Sequence, residues 1–185
     1  MMLRRLFLYC LSAILLSATA GAAAKVHVIT FGKSTSVQWF TGSANDKPLT
    51  LKLRALIVDG RIREYALGAP HEVTERLFVV RRMFRVNDGL PEDSAPRWQW
   101  QRGGWLLVDR ATGHISPVNL SDFDVFYSAA SWYRDYVAYC GVSDDGTKTY
   151  AIVVQLNRRK PVLKKTVSDA GVPEDAAPDS ACPVP

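Results

Sequence analysis

From Leu49 the chain alternates: Leu49, Leu51, Leu53, Ala55 and Ile57 are apolar, and Thr50, Lys52 and Arg54 between them are polar. A period of two is that of a strand with one buried face. Asp59-Gly60 follows, a pair that favours a tight hairpin turn, and residues 61–65 are expected to run back beside the first strand. Residues 77–86 form another extended run, with Phe78, Val80, Phe84 and Val86 on one face. Residues 97–101 put Trp98 and Trp100 on a common side, and Gly103-Gly104 is expected to part that strand from the next, residues 105–108. Residues 109–113 read as a turn leading into a strand over 114–118.

The second half repeats this grammar. Residues 136–142 are apolar at both parities, as expected of a strand covered on both sides. Asp144-Asp145-Gly146 turns the chain, and Tyr150, Ile152, Val154 and Leu156 then share a face. Residues 157–160 turn again, and 161–167 close the series with Pro161 at a strand start, where no donor is needed. Helical spacing occurs in residues 120–131, at Phe123, Phe126 and Tyr127, with Ser121 or Asp122 as a cap; an aromatic-rich loop fits the same residues equally. The pattern predicts an all-β, antiparallel domain with little helix.

A weak internal repeat runs through it. Leu56-Ile57-Val58-Asp59-Gly60 parallels Leu106-Leu107-Val108-Asp109 with Gly113, each an apolar strand that ends in Asp and turns through Gly. Ser131-Trp132, the strand after it, the Asp-Asp-Gly turn and the strand ending near Leu156 resemble one blade of a β-propeller of the kind found in periplasmic TolB. The resemblance covers residues 131–156 and implies propeller-blade-like units. Closed propellers use at least four blades, and this chain has room for about three such units. Three stacked antiparallel units, a sandwich, or one strongly bent sheet fit the same pattern. The chain as a whole also resembles uncharacterised exported bacterial proteins, a likeness that carries no activity with it.

The N-terminus changes the setting. Arg4-Arg5 precede an apolar run from Leu6 to Ala18, and small residues follow through Ala24. That is a signal peptide, with cleavage expected near Ala22 or Ala24, and it places the chain in the periplasm or outside the cell. The apolar run is shorter than the roughly 20 residues that span a bilayer, and no later segment is as apolar, so no membrane span is expected after cleavage. Residues 25–168 read as a single β-rich domain, and residues 169–185, rich in Pro, Ala and acids, as a disordered tail.

Charge is mild. The chain of 185 residues carries +5, and loss of Arg4 and Arg5 leaves 21 basic against 18 acidic side chains, or +3. That is too little to indicate a nucleic-acid partner. Of three cysteines, Cys10 lies in the signal segment, and export permits a disulfide between Cys140 and Cys182.

Familiar catalytic and zinc-binding motifs are absent from the sequence. Neither Gly-x-Ser-x-Gly nor Ser-x-x-Lys occurs, and His71-Glu72 is followed by Val73-Thr74-Glu75, which breaks the His-Glu-x-x-His zinc spacing. No catalytic residue, metal ligand set or cofactor is therefore assigned. What remains is a supply of rings and guanidiniums: Trp98, Trp100, Trp105, Trp132 and Tyr133, with Arg81, Arg82 and Arg85. Both residue types are enriched at the energetic centres of interfaces. The reading is a non-catalytic exported domain that binds an envelope protein or glycan. Two alternatives stand beside it: an envelope hydrolase that assembles His71 or His114 with Asp122, Asp124 or Asp135, and a structural subunit of an envelope assembly.

Overall fold

Alternating apolar side chains and turn residues with positive φ together build the first sheet. A computed structural model describes residues 26–39, 48–125 and 128–168. The expected signal segment (1–24), the expected tail (169–185, with Cys182) and Phe126 and Tyr127 of the helix candidate lie outside them. Seven antiparallel strands come first: β1 (Ile29–Phe31), β2 (Thr35–Trp39), β3 (Leu49–Val58), β4 (Arg61–Glu72), β5 (Leu77–Asn87), β6 (Trp98–Asp109) and β7 (Ile115–Val118). Their order is β1-β3-β4-β5-β6-β7, with β2 on the other half of β3. The remaining four, β8 (Ala130–Tyr133), β9 (Tyr136–Val142), β10 (Thr149–Gln155) and β11 (Leu163–Ser168), make an antiparallel meander. The protein is thus all-β, without a helix among the described residues, and its two sheets close into neither a barrel nor a propeller. Of the segment 120–131, residues 120–125 and 128–129 are loop, with one isolated helical-type bond from the Ser128 amide to the Asp124 carbonyl, and Ala130 and Ser131 open β8.

The first sheet curls. Leu56, Ala66, Phe78, Val80, Leu106 and Val108 are buried on one face, and Ile29 and Phe31 from β1 pack on them together with Ile115 from β7. Strands at opposite edges therefore lean over a shared core. The Asp59-Gly60 hairpin has the expected geometry, with φ of 53° and 75°. Three expectations change. Gly103-Gly104 does not separate two strands; it lies inside β6, where the register shifts between Arg81 and Met83. A bulge of this kind accommodates an extra residue and bends the strand. Arg82 packs on Gly103, where an added Cβ would meet its Cβ at 3.1 Å. β5 is buried on both faces, with Val79, Arg81 and Met83 as enclosed as Phe78 and Val80. β9, by contrast, buries one face only: Val137 and Tyr139 point in, while Tyr136 and Ala138 are exposed.

The second sheet has its own core of Val137, Tyr139, Ile152 and Val154, with Leu120, Phe123, Trp132 and Tyr150 against it. It docks on the first through rings. Trp105 of β6 meets Trp132 of β8 edge-on at 5.3 Å, and His71 of β4 stacks on Trp132 at 5.9 Å. Among the described residues no helix is long and apolar enough to cross a membrane.

Candidate functional site

The rings and arginines picked from sequence fall into separate places. Trp105, Trp132 and Arg81 lie at the joint between the sheets, so they are not part of an open surface. Arg81 is buried; its Nη2 donates to the Val125 carbonyl at 2.6 Å, and its guanidinium lies 4.8 Å from the centre of the Phe123 ring. Burial, reinforced by the nearby charge of Arg102, brings the Arg81 pKa down to about 10. Arg82 lies apart from Arg81, as alternation along β5 requires; it donates to Glu64 at 3.0 Å and covers Phe84. Tyr133 stands exposed in the β8–β9 hairpin, beside the Arg134 guanidinium.

Trp98, Trp100 and Arg85 do come together. Antiparallel pairing sets Arg85 opposite Trp100 and Asn87 opposite Trp98 at the free end of the β5–β6 hairpin. The Arg85 guanidinium sits 5.3 Å from the Trp98 ring centre and 5.8 Å from that of Trp100. Trp100 in turn meets Tyr65 of β4 edge-on at 5.0 Å. Trp98 is 53% exposed, whereas Trp39 is only 2% exposed. The result is a row of two indoles and a phenol carrying one cation, with Trp98 exposed and Trp100 and Tyr65 half-buried.

The histidines converge elsewhere than sequence reasoning placed them. His71 Nε2 lies 2.9 Å from the Arg134 carbonyl. Asp122 receives Lys164 and Asp135 receives Gln155. His27 meets Asp59, Nδ1 to Oδ2 at 2.9 Å, and the Val28 amide donates to the same carboxylate. Around it lies a recess of about 670 Å³ lined by His27, Asp59, Arg61, Arg63, Thr112 and His114, with Val58 and Ile115 beneath. The Asp59 turn is legible in sequence; its partner 32 residues earlier is not, because only the curl of the sheet brings β1 to it. A further trough of about 430 Å³ runs between β7 and the β10–β11 turn, past Leu107, Val118, Leu156 and the exposed Arg158 and Arg159.

Cys140 is disulfide-bonded. Its expected partner, Cys182, lies outside the described residues. Among the described residues no three His, Cys, Asp or Glu side chains gather as a metal would need. No protein family, curated protein or solved structure matches the chain.

Proposed function

We propose that this chain is an exported, non-catalytic β-domain that binds another component of the cell envelope through the Trp98–Trp100–Arg85 row. The observation that carries the reading is the half-open Trp98 with a guanidinium over its ring. Leaving an indole in water forgoes the burial that stabilises other core rings, at roughly 25 cal/mol per Å². A ring kept outside and flanked by a cation is suited to a partner that covers it. The chemistry favours a carboxylate-bearing glycan: sugar faces stack on indole and phenol, and Arg85 supplies a charge-assisted bond to the acid. Export is supported by the signal-like N-terminus and by the disulfide at Cys140, since disulfides persist in oxidising compartments.

The test is sedimentation of the purified protein with insoluble envelope glycan, followed by titration of soluble acidic fragments. Trp98→Ala and Arg85→Gln are expected to weaken binding by roughly tenfold each, about 1.4 kcal/mol, without lowering the melting temperature appreciably. Retention that is the same in both variants removes this surface as the site. Capture of a protein in place of glycan, lost in the same variants, would keep the surface and change the partner.

A further inference from the structure

Three segments far apart in sequence bring basic side chains to one recess. His27 comes from the chain before β1, Arg61 and Arg63 from the start of β4, and His114 from the turn between β6 and β7. The recess measures about 670 Å³, within the roughly 300–1,000 Å³ usual for small-molecule sites. Pairing sets Arg61 opposite Val58, which lies beneath it. The register shifts between Leu56 and Ile57, and Arg63 is left without a partner on β3. Such a bulge re-aims a side chain, and both arginines line the same hollow.

Their charge is not matched within the protein. Arg61, Arg63 and His114 are exposed, and among the described residues no side-chain hydrogen bond, ion pair or ring contact involves them. The neighbouring carboxylates are engaged. Asp59 accepts the Val28 amide on Oδ1 and meets His27 Nδ1 through Oδ2, at 3.1 and 2.9 Å. Glu64, which follows Arg63, accepts from Arg82 at 3.0 Å. Two permanent positive charges therefore stand over a lining whose one carboxylate already holds two protein groups.

The ligand chemistry follows from that count. A carboxylate has two oxygens, and a single guanidinium fork satisfies both. A phosphate monoester has three terminal oxygens and close to two negative charges at neutral pH, which suits two forks. The Thr112 hydroxyl accepts the His114 amide at 3.3 Å, so its own proton is available for a ligand hydroxyl. We propose that this recess binds the phosphate monoester of a sugar or other polyol, with the phosphate between Arg61 and Arg63 and the hydroxyls toward Thr112 and the imidazoles. The site is independent of the Trp98 row. Trp98 opens β6 and Asp109 closes it, roughly 36 Å away at about 3.3 Å per residue.

Glucose 1-phosphate, glucuronate and glucose are titrated into the purified protein by calorimetry at about 0.15 M salt, where long-range attraction is screened. Glucose 1-phosphate is expected to saturate, with glucuronate at least about tenfold weaker and glucose without measurable binding. Arg61→Gln and Arg63→Gln are each expected to weaken the ester by about fivefold or more and to leave the melting temperature unchanged, since neither side chain holds the fold. Arg85→Gln is expected to leave the ester's affinity as it is, which separates this site from the glycan surface. Absence of saturation, glucuronate as tight as the ester, or full affinity in the double variant would each overturn the proposal. Vesicles of phosphatidylcholine with and without phosphatidic acid identify the source of the phosphate. Retention that needs phosphatidic acid and is reversed by glucose 1-phosphate supports the site with a lipid headgroup as its ligand. Binding of the soluble ester without retention supports it with a sugar phosphate.

Discussion

His71 Nε2 lies 2.9 Å from the carbonyl oxygen of Arg134, which joins the fourth strand of the first sheet to a hairpin turn of the second. A carbonyl only accepts, so Nε2 carries the proton and donates. The same ring stacks on Trp132 with an interplanar angle of 30°. His71→Ala removes both contacts and is expected to cost about 1–2 kcal/mol in urea denaturation. His71→Phe restores a ring and is expected to recover roughly half of that. An alanine variant as stable as the parent would mean that the sheets are docked without this bridge.

Two glycines test how closely the elements pack. A Cβ on Gly141 would lie 2.7 Å from Ile152 Cδ1 and 2.9 Å from the Asp122 carbonyl oxygen. The second neighbour is backbone, held by the Val142 amide at 2.9 Å, and cannot swing away. Gly141→Ala is expected to destabilise by about 1–3 kcal/mol. Gly104, in the β6 bulge, has nothing within 4 Å of the same position and no positive φ. Gly104→Ala is expected to be neutral or to stabilise by up to about 1 kcal/mol through the unfolded chain. Thermal melts of the two variants in parallel decide the matter, and an equal loss in both would contradict the packing described.

These contacts mark where sequence reading stops. The strand over Leu49–Val58 and the Asp59-Gly60 turn are local facts and carry to the fold, but the buried face does not follow the alternation: Leu53, Leu56 and Val58 are buried, Leu49 is exposed and Ile57 is half-buried, with a register shift between Leu56 and Ile57. The β6 bulge is not local in that sense. Two adjacent glycines read as a break, yet paired against β5 they are an insertion in a continuous strand, and the pairing partner decides which. The site residues divide on the same principle. Trp98, Trp100 and Arg85 meet because strand alternation and one hairpin place them together. Arg81 and Trp105 also share that hairpin, but their burial depends on a loop 44 residues away at Val125, which no periodicity announces.

Cys140 is the point where location and stability meet. It sits in β9 opposite Ala151 and is disulfide-bonded. The sequence has two other cysteines, Cys10 in the proposed signal segment and Cys182. Peptide mapping without reduction is expected to give a Cys140–Cys182 cross-linked fragment, and iodoacetamide is expected to label neither residue before reduction. Reduction is expected to lower stability by about 2–4 kcal/mol. A labelled Cys140 in unreduced protein would argue against the bridge and against the proposed export to an oxidising compartment.

Acid should loosen the turns at Asp109 and Asp145 before it reaches the core. Asp145 is held at a pKa of about 2, below its ordinary 3.8, first by the Ser143 hydroxyl and then by the Thr147 amide and hydroxyl. Asp109 is lowered further, chiefly by Arg76, with the Ala111 amide and Thr112 helping. A carboxylate whose folded pKa is depressed adds stability that is complete above its unfolded value. That contribution drains away as pH falls toward the folded value, because protons then bind the unfolded chain first. The urea midpoint is therefore expected to be flat above about pH 5 and to fall steadily from there to about pH 2. Ser143→Ala removes the largest single cause at Asp145, so its carboxyl carbon resonance is expected to titrate closer to 3.8 in that variant. An Asp145 midpoint that is near 3.8 in the parent, or that stays put in Ser143→Ala, would show that this turn does not hold its carboxylate in the way the hydrogen bonds require.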